Sequence, residues 1–155
     1  IFTSPLKRAV ETAEIIRGER RIPVIYEERL IEISFGDYEG LSFGEETFNI
    51  PDPDFMNFFK APEKYKVPPK GESFQNVIKR TGEFLKELTQ RDGYQDMTIL
   101  LSTHGCALKA LLANVNGTSI PEFWGEGVHK NCAVSILEYT DGEYHLIEEG
   151  KVYYS

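Results

Sequence analysis

The sequence predicts an α/β fold with a mainly parallel sheet, and three features of the pattern carry that expectation. Strand-like apolar runs alternate with segments of helical periodicity, the order that builds βαβ units. The run Thr98-Ile99-Leu100-Leu101-Ser102-Thr103 reads as a buried strand. Near the C-terminus, residues 132–139 and 144–148 read as two strands joined across Asp141-Gly142, a hairpin signal that adds an antiparallel edge. Helices packed on both faces of such a sheet make a three-layer sandwich.

Residues 1–4 read as the tail of a strand. Ser4 suits a helix N-cap and Pro5 the first helical position. Leu6, Ala9, Val10, Ala13 and Ile16 then recur at helical spacing, closed by Gly18. Ile22-Pro23-Val24-Ile25-Tyr26 predicts a short second strand. Residues 28–71 are irregular, with Gly36, Gly40 and Gly44 followed by Pro51, Pro53, Pro62, Pro68 and Pro69. A loop of that length inside a compact domain is usually functional, and a cap or insertion is expected at about 41–70. Its apolar centre, Phe55-Met56-Asn57-Phe58-Phe59, predicts a short cap helix. From Glu72 to about Arg91, one stripe of Phe74, Val77, Ile78, Thr81, Phe84, Leu85 and Leu88 predicts a long helix, with Glu72 and Ser73 at its cap and Asp92-Gly93 at its end. A further helix after Gly105 carries Leu108, Leu111 and Leu112 and stops near Asn116-Gly117. No internal repeat or second domain interrupts this order, so residues 1–155 are read as one domain.

The chain has 155 residues, 41% of them apolar and 27% charged, an ordinary composition with material for a sizeable core. No apolar run approaches the ~20 residues of a membrane span, and no signal peptide is read at the start. The net charge of −8 argues against a nucleic-acid partner, which requires a basic face. It also repels phosphorylated ligands at long range, so phosphate chemistry must rest on a few cations focused in a pocket. Cys106 and Cys132 lack CxxC spacing and read as reduced, buried thiols of a cytoplasmic protein. No carboxylates and histidines fall at metal-ligand spacing, so neither metal nor cofactor is expected.

Ligands of open α/β sheets bind beyond the carboxyl ends of the strands. Arg8 falls in the first turn of the helix after the first strand, and His104 directly after the strand at 98–103. The helix that follows offers free backbone N–H groups to an anion. A guanidinium, an imidazole and a helix N-terminus on one rim suit a phosphate, because arginine supplies a fork of donors and histidine a short-range donor or nucleophile.

Four motifs sharpen this reading. Thr3-Ser4-Pro5-Leu6-Lys7-Arg8-Ala9-Val10-Glu11-Thr12-Ala13 resembles the second signature of the histidine-phosphatase superfamily, of the phosphoglycerate-mutase-like kind. Leu30-Ile31-Glu32-Ile33-Ser34-Phe35-Gly36-Asp37-Tyr38-Glu39-Gly40 resembles its acidic motif, Pro69-Lys70-Gly71-Glu72-Ser73-Phe74 its Gly-Glu-Ser segment, and Leu100-Leu101-Ser102-Thr103-His104-Gly105 its second-histidine motif. They occur in the family's order across most of the chain. The resemblance implies that Arg8 grips the phosphoryl oxygens and that His104 donates to the phosphate and stabilises its charge. It implies that Glu32 protonates the leaving oxygen and then activates water. The implied mechanism is metal-independent two-step phosphoryl transfer through a phosphohistidine, with positioned cations carrying most of the catalysis.

The family's Arg-His-Gly motif, on the first strand, does not occur among these residues. The expectation is therefore a domain incomplete at its N-terminus, lacking one central strand and the nucleophile, whose free edges favour pairing with a second copy. His129 and His145 read as surface residues. The short segment 41–70, rich in phenylalanine, favours a phosphatase of apolar or bulky small-molecule phosphomonoesters over a phosphoglycerate mutase, whose insertion is longer and more basic. A reading of another class, an inactive fragment or phosphate-binding module, follows from the missing histidine.

Overall fold

The computed structural model describes residues 1–94 and 96–154. In chain order its elements are β1 (Phe2–Thr3), α1 (Lys7–Arg17), β2 (Ile25–Tyr26), α2 (Asn57–Lys60), α3 (Phe74–Gln90), β3 (Leu101–Ser102), α4 (Gly105–Asn116), β4 (Val134–Thr140) and β5 (Glu143–Lys151). Short 3-10 turns lie at Glu28–Leu30, Gly36–Tyr38, Pro62–Lys64 and Ile120–Glu122.

The parallel sheet has the order β2-β1-β3, with Phe2 opposite Ile25 and Leu101, and Thr3 opposite Tyr26 and Ser102. Successive side chains point to opposite faces of a strand, and here that alternation sorts the helices. Phe2 packs with Phe84, Leu85 and Leu88 of α3 and Leu111 of α4. On the other face the Ser102 hydroxyl donates to the Ala9 carbonyl of α1, whose Ala9 and Ala13 are buried. The layers are thus α1, sheet, and α3 with α4. The α3 stripe is as periodic as the sequence implies, with Ile78 at its margin. Its one polar member, Thr81, is satisfied by donating to the Val77 carbonyl one turn back.

Three local expectations are corrected. Ser4 does not cap α1: Leu6 holds the N-cap position, and the Ser4 hydroxyl accepts the Leu6 N–H at 3.3 Å. Glu72 does not cap α3: Ser73 does so by accepting the Asn76 N–H, while the Glu72 carboxylate forks onto Arg80 at 2.8 and 2.9 Å. The apolar runs at 22–26 and 98–103 yield strands of only two residues, because a ladder extends only as far as its partner, and β1 itself spans two.

The hairpin forms as predicted, with Asp141 and Gly142 both at positive φ (53° and 88°), the geometry that a tight two-residue connection requires. Among the described residues it is a separate antiparallel pair, not hydrogen-bonded to the parallel sheet. It is attached through side chains, the Tyr144 hydroxyl donating to the Leu85 carbonyl and β5 packing against α4.

The segment between β2 and α3 is ordered by backbone zipping and ring packing. Asp37 N–H donates to the Pro69 carbonyl and Glu72 N–H to that of Ser34. Gly36 is essential at this crossing: its φ is +54° and a Cβ there would lie 2.1 Å from the Pro69 oxygen. Phe58 of α2 is buried against Phe35, Phe55, Phe59, Tyr65, Phe74 and Trp124. No helix of the described residues is long and apolar enough to cross a membrane.

Candidate active site

β3 ends at Ser102, and two residues later His104 takes the N-cap position of α4 with its ring buried. α1 starts just beyond the end of β1, the neighbouring strand, so its first turn sits over the same rim. The structure brings Arg8 and His104 together there: the Arg8 Nε–H donates to His104 Nδ1 at 3.1 Å. The two terminal amino groups of Arg8 make no hydrogen bond among the described residues, and the side chain reaches solvent. Burial first, then the Arg8 and Arg80 guanidiniums, hold the His104 pKa down at about 4, so the ring is neutral at pH 7.

Glu32, from the irregular segment after β2, reaches the first turn of α4. Its Oε1 accepts the N–H groups of Ile33 and Ala107, both at 3.0 Å, and its Oε2 accepts that of Cys106 at 3.2 Å. The sequence placement predicts a first turn of α4 free to bind an external anion; in the structure the Cys106 and Ala107 N–H groups are taken by Glu32. The His104 ring is engaged elsewhere and cannot cap the helix, so a carboxylate from a distant segment takes the orphan N–H groups. That segment is itself tied down. Arg80 donates to the Arg29 carbonyl at 2.7 Å, and the Thr103 hydroxyl donates to that of Leu30 at 2.8 Å.

From Glu32 a cleft of about 350 Å³ runs between Ile33, Phe35, Phe43, Phe58, Phe59 and Trp124, with Glu32 the one charged residue in its lining. Cys106 borders it as a buried thiol, its pKa pushed up chiefly by burial. Cys132 is exposed rather than buried, set in a loop at φ 59°. His129 is not a surface residue: its side chain is 14% exposed and Nε2 pairs with Glu149 Oε1 at 3.0 Å, because its loop folds back over Gly150. His145 is exposed on β5. Among the described residues neither hydrogen-bonds to Arg8, Glu32 or His104. No group of three or more metal-ligating side chains occurs among the described residues.

Sequence reasoning missed Ser4, Arg80 and Trp124. The Ser4 hydroxyl lies 2.7 Å from His104 Nε2. Its place one residue beyond β1 could have shown this, had the strand pairing been known. Arg80 looked like any polar helix residue. Trp124, whose Nε1–H donates to the Phe58 carbonyl, follows a short turn and carries no pattern at all.

The model of the histidine phosphatase superfamily (branch 1) matches residues 1–150. The chain belongs to the histidine phosphatase superfamily. Among curated relatives, phosphoserine phosphatase 1 of Hydrogenobacter thermophilus is 31% identical over 141 residues, covering 91% of the chain and 64% of the relative. Phosphoglycerate mutase 1 of Saccharomyces cerevisiae is 32% identical over 145 residues, covering 77% and 59%. The chain thus spans less than two thirds of the length of either. The solved structure of Bacillus stearothermophilus YhfR superposes with a TM-score of 0.86 at 38% identity, covering 97% of this chain and 73% of that one.

Proposed function

We propose that this histidine phosphatase chain supplies the phosphate grip and the acid of a metal-independent phosphomonoester hydrolase that works through a phosphohistidine. The observation that carries the reading is the Arg8–His104 pair, with Glu32 bonded to the first turn of the helix that His104 begins and lining an apolar cleft. The free amino groups of Arg8 provide a fork for two phosphoryl oxygens. His104, neutral, offers one N–H rather than a charge. Glu32 delivers a proton to the leaving oxygen through Oε2, which holds one long bond where Oε1 holds two shorter ones. The phosphoryl-accepting histidine is assigned to polypeptide outside these residues, since the family's Arg-His-Gly motif does not occur among them and neither His129 nor His145 hydrogen-bonds to Arg8, Glu32 or His104 among the described residues.

Phosphatase chemistry is favoured over mutase chemistry by where the lysines of segment 41–70 go. Lys66 pairs with Asp54 and Lys70 with Asp37, and Lys60 and Lys64 face solvent. None lines the cleft, so nothing there holds a second phosphate. Segment 41–70 acts as a cap that selects an apolar or bulky organic group. The free thiols fit a cytoplasmic enzyme.

The test compares the 155-residue chain with the chain extended by its native upstream sequence, in hydrolysis of para-nitrophenyl phosphate with chelator present. The extended protein is expected to turn over and to yield a phosphohistidine on rapid quenching, and the 155-residue chain to do neither. In the extended protein Glu32→Gln should slow poor leaving groups more than good ones. Turnover by the shorter chain that His104→Ala abolishes would make His104 the nucleophile, and loss of activity to chelator would end the metal-independent reading.

A further inference from the structure

The β1–β3 ladder delivers two side chains to each other across about a hundred residues of sequence. Thr3 pairs with Ser102, and the Ser4 N–H extends the ladder by donating to the Ser102 carbonyl at 2.9 Å. Ser4 is thereby held beside the strand end that bears His104, and it is fully buried. Its oxygen lies 2.7 Å from Nε2 and also accepts the Leu6 N–H.

The partners decide the tautomer. A guanidinium N–H can only donate, so Nδ1 presents its lone pair to Arg8. In a neutral ring the proton is then on Nε2, and Nε2–H donates to Ser4. The charged groups around the ring are Arg8 of α1 and Arg80 of α3, with the Glu32 carboxylate across Gly105. A proton on Nδ1 would have to displace the Arg8 bond and stand beside a cation.

One bond at Nδ1 leaves the ring free to rock, whereas a second at Nε2 fixes its plane. We infer that Ser4 is a positioning residue of the anion site: its hydroxyl holds the neutral His104 ring in plane and keeps Nε2–H aligned until a phosphoryl oxygen takes over that hydrogen bond. The exchange strands no polar group. Ser4 retains the Leu6 N–H, and its own O–H can donate to the incoming oxygen. The inference rests on the reading of Arg8 and His104 as a phosphate site.

The experiment uses the 155-residue chain with ¹⁵N-labelled histidine, whose long-range ¹H–¹⁵N correlations show which ring nitrogen bears the proton, together with calorimetric titration of inorganic phosphate. Wild type should show protonated Nε2, bare Nδ1 and a protected Hε2 signal. Ser4→Ala should lose that signal to solvent exchange and bind phosphate about fivefold more weakly, the worth of one hydrogen bond. Ser4→Thr, which keeps the hydroxyl, should restore both. Ser4→Cys, similar in bulk but a weak acceptor, should behave as Ser4→Ala does and decides the case if Ser4→Ala does not fold. Equal protection of Hε2 in Ser4→Ala, or a proton on Nδ1 in wild type, would overturn the inference. So would a Ser4→Thr protein that melts like wild type yet loses the signal. If wild type binds no phosphate while Ser4→Ala still loses Hε2, the phosphate reading falls and the hold of Ser4 on His104 stands.

Discussion

The polar cluster around His104 and the apolar cleft that starts at Glu32 and Gly105 are two ends of one region, positioned by different means. At the polar end, Ser4 and His104 follow strand ends whose register is set by backbone hydrogen bonds, and Arg8 and Ser4 meet the ring in directional contacts. At the apolar end, Phe58 and Phe59 sit on the single-turn helix α2 and Phe43 and Trp124 on turns and loops, and ring packing holds them in place. A single directional bond contributes little net stability, whereas a cluster of buried rings contributes a great deal. The polar groups should therefore be removable without unfolding the protein, and the buried rings of segment 41–70 should not.

Phe58→Ala tests the apolar end hardest. Phe58 is 2% exposed and touches six other rings, so truncation should cost ~3–5 kcal/mol by loss of burial plus an unfilled cavity. At ~2–4 °C per kcal/mol for a domain of this size, thermal denaturation should shift down by roughly 10 °C. A shift under ~3 °C would show that the cap is not held by its rings.

Arg8→Ala tests the polar end. Removing a charge-assisted fork should weaken inorganic phosphate binding by roughly 100-fold while melting stays within ~2 °C of wild type, because Arg8 is exposed and packs little. A large loss of stability with unchanged phosphate affinity would reverse the comparison.

Local rules explain which parts of this architecture were legible in advance. Asp141-Gly142 names its own turn, and the α3 stripe its buried face, because both depend on residues close in sequence. The meeting of Arg8 and His104 was legible because both follow the carboxyl ends of strands in one sheet, whereas Glu32, one carboxylate among many in an irregular segment, stood out only through its motif. Ser4 was misread because a serine before proline is a strong local cap signal, while its actual partner lies a hundred residues away. The same non-locality hid the Glu32 contact with the first turn of α4, and Trp124 is placed by ring packing that no periodicity encodes.

The His104 ring gives the polar end a pH signature. Its folded pKa of about 4 lies below the ordinary 6.5, so between those values the unfolded chain binds the proton more readily than the folded one. The contribution of the neutral buried ring is complete above pH 6.5 and is lost as pH falls toward 4. It amounts to on the order of 2 kcal/mol once solvent screening of a partly hydrated ring is allowed for. Denaturant titrations of wild type and His104→Gln across this range isolate it from the many carboxylates: the stability difference between the two proteins should change with pH between 6.5 and 4 and level off above. A constant difference would mean that His104 titrates normally.

Phe43→Ser should have the smallest effect and most sharply divides selectivity from stability. Phe43 lines the cleft but is 45% exposed and touches one ring, Phe59, at 5.7 Å between centroids. Replacing it removes little buried area, so stability should stay within ~0.5 kcal/mol of wild type, the range of ordinary surface substitutions. An aromatic phosphomonoester in the cleft would nonetheless cover that ring, and the loss of this contact should cost about 1 kcal/mol, a factor of roughly five, in binding. A phosphomonoester too short to reach the rim should not register the change. The measurement is the ratio of affinities of the 155-residue chain for naphthyl phosphate and glycerol phosphate. That ratio should fall about fivefold in Phe43→Ser while inorganic phosphate affinity stays the same. If both esters weaken equally, Phe43 shapes the entrance for any ligand and the cap does not select by apolar surface. If neither weakens, the leaving group does not lie in this cleft, and the aromatic end is packing alone.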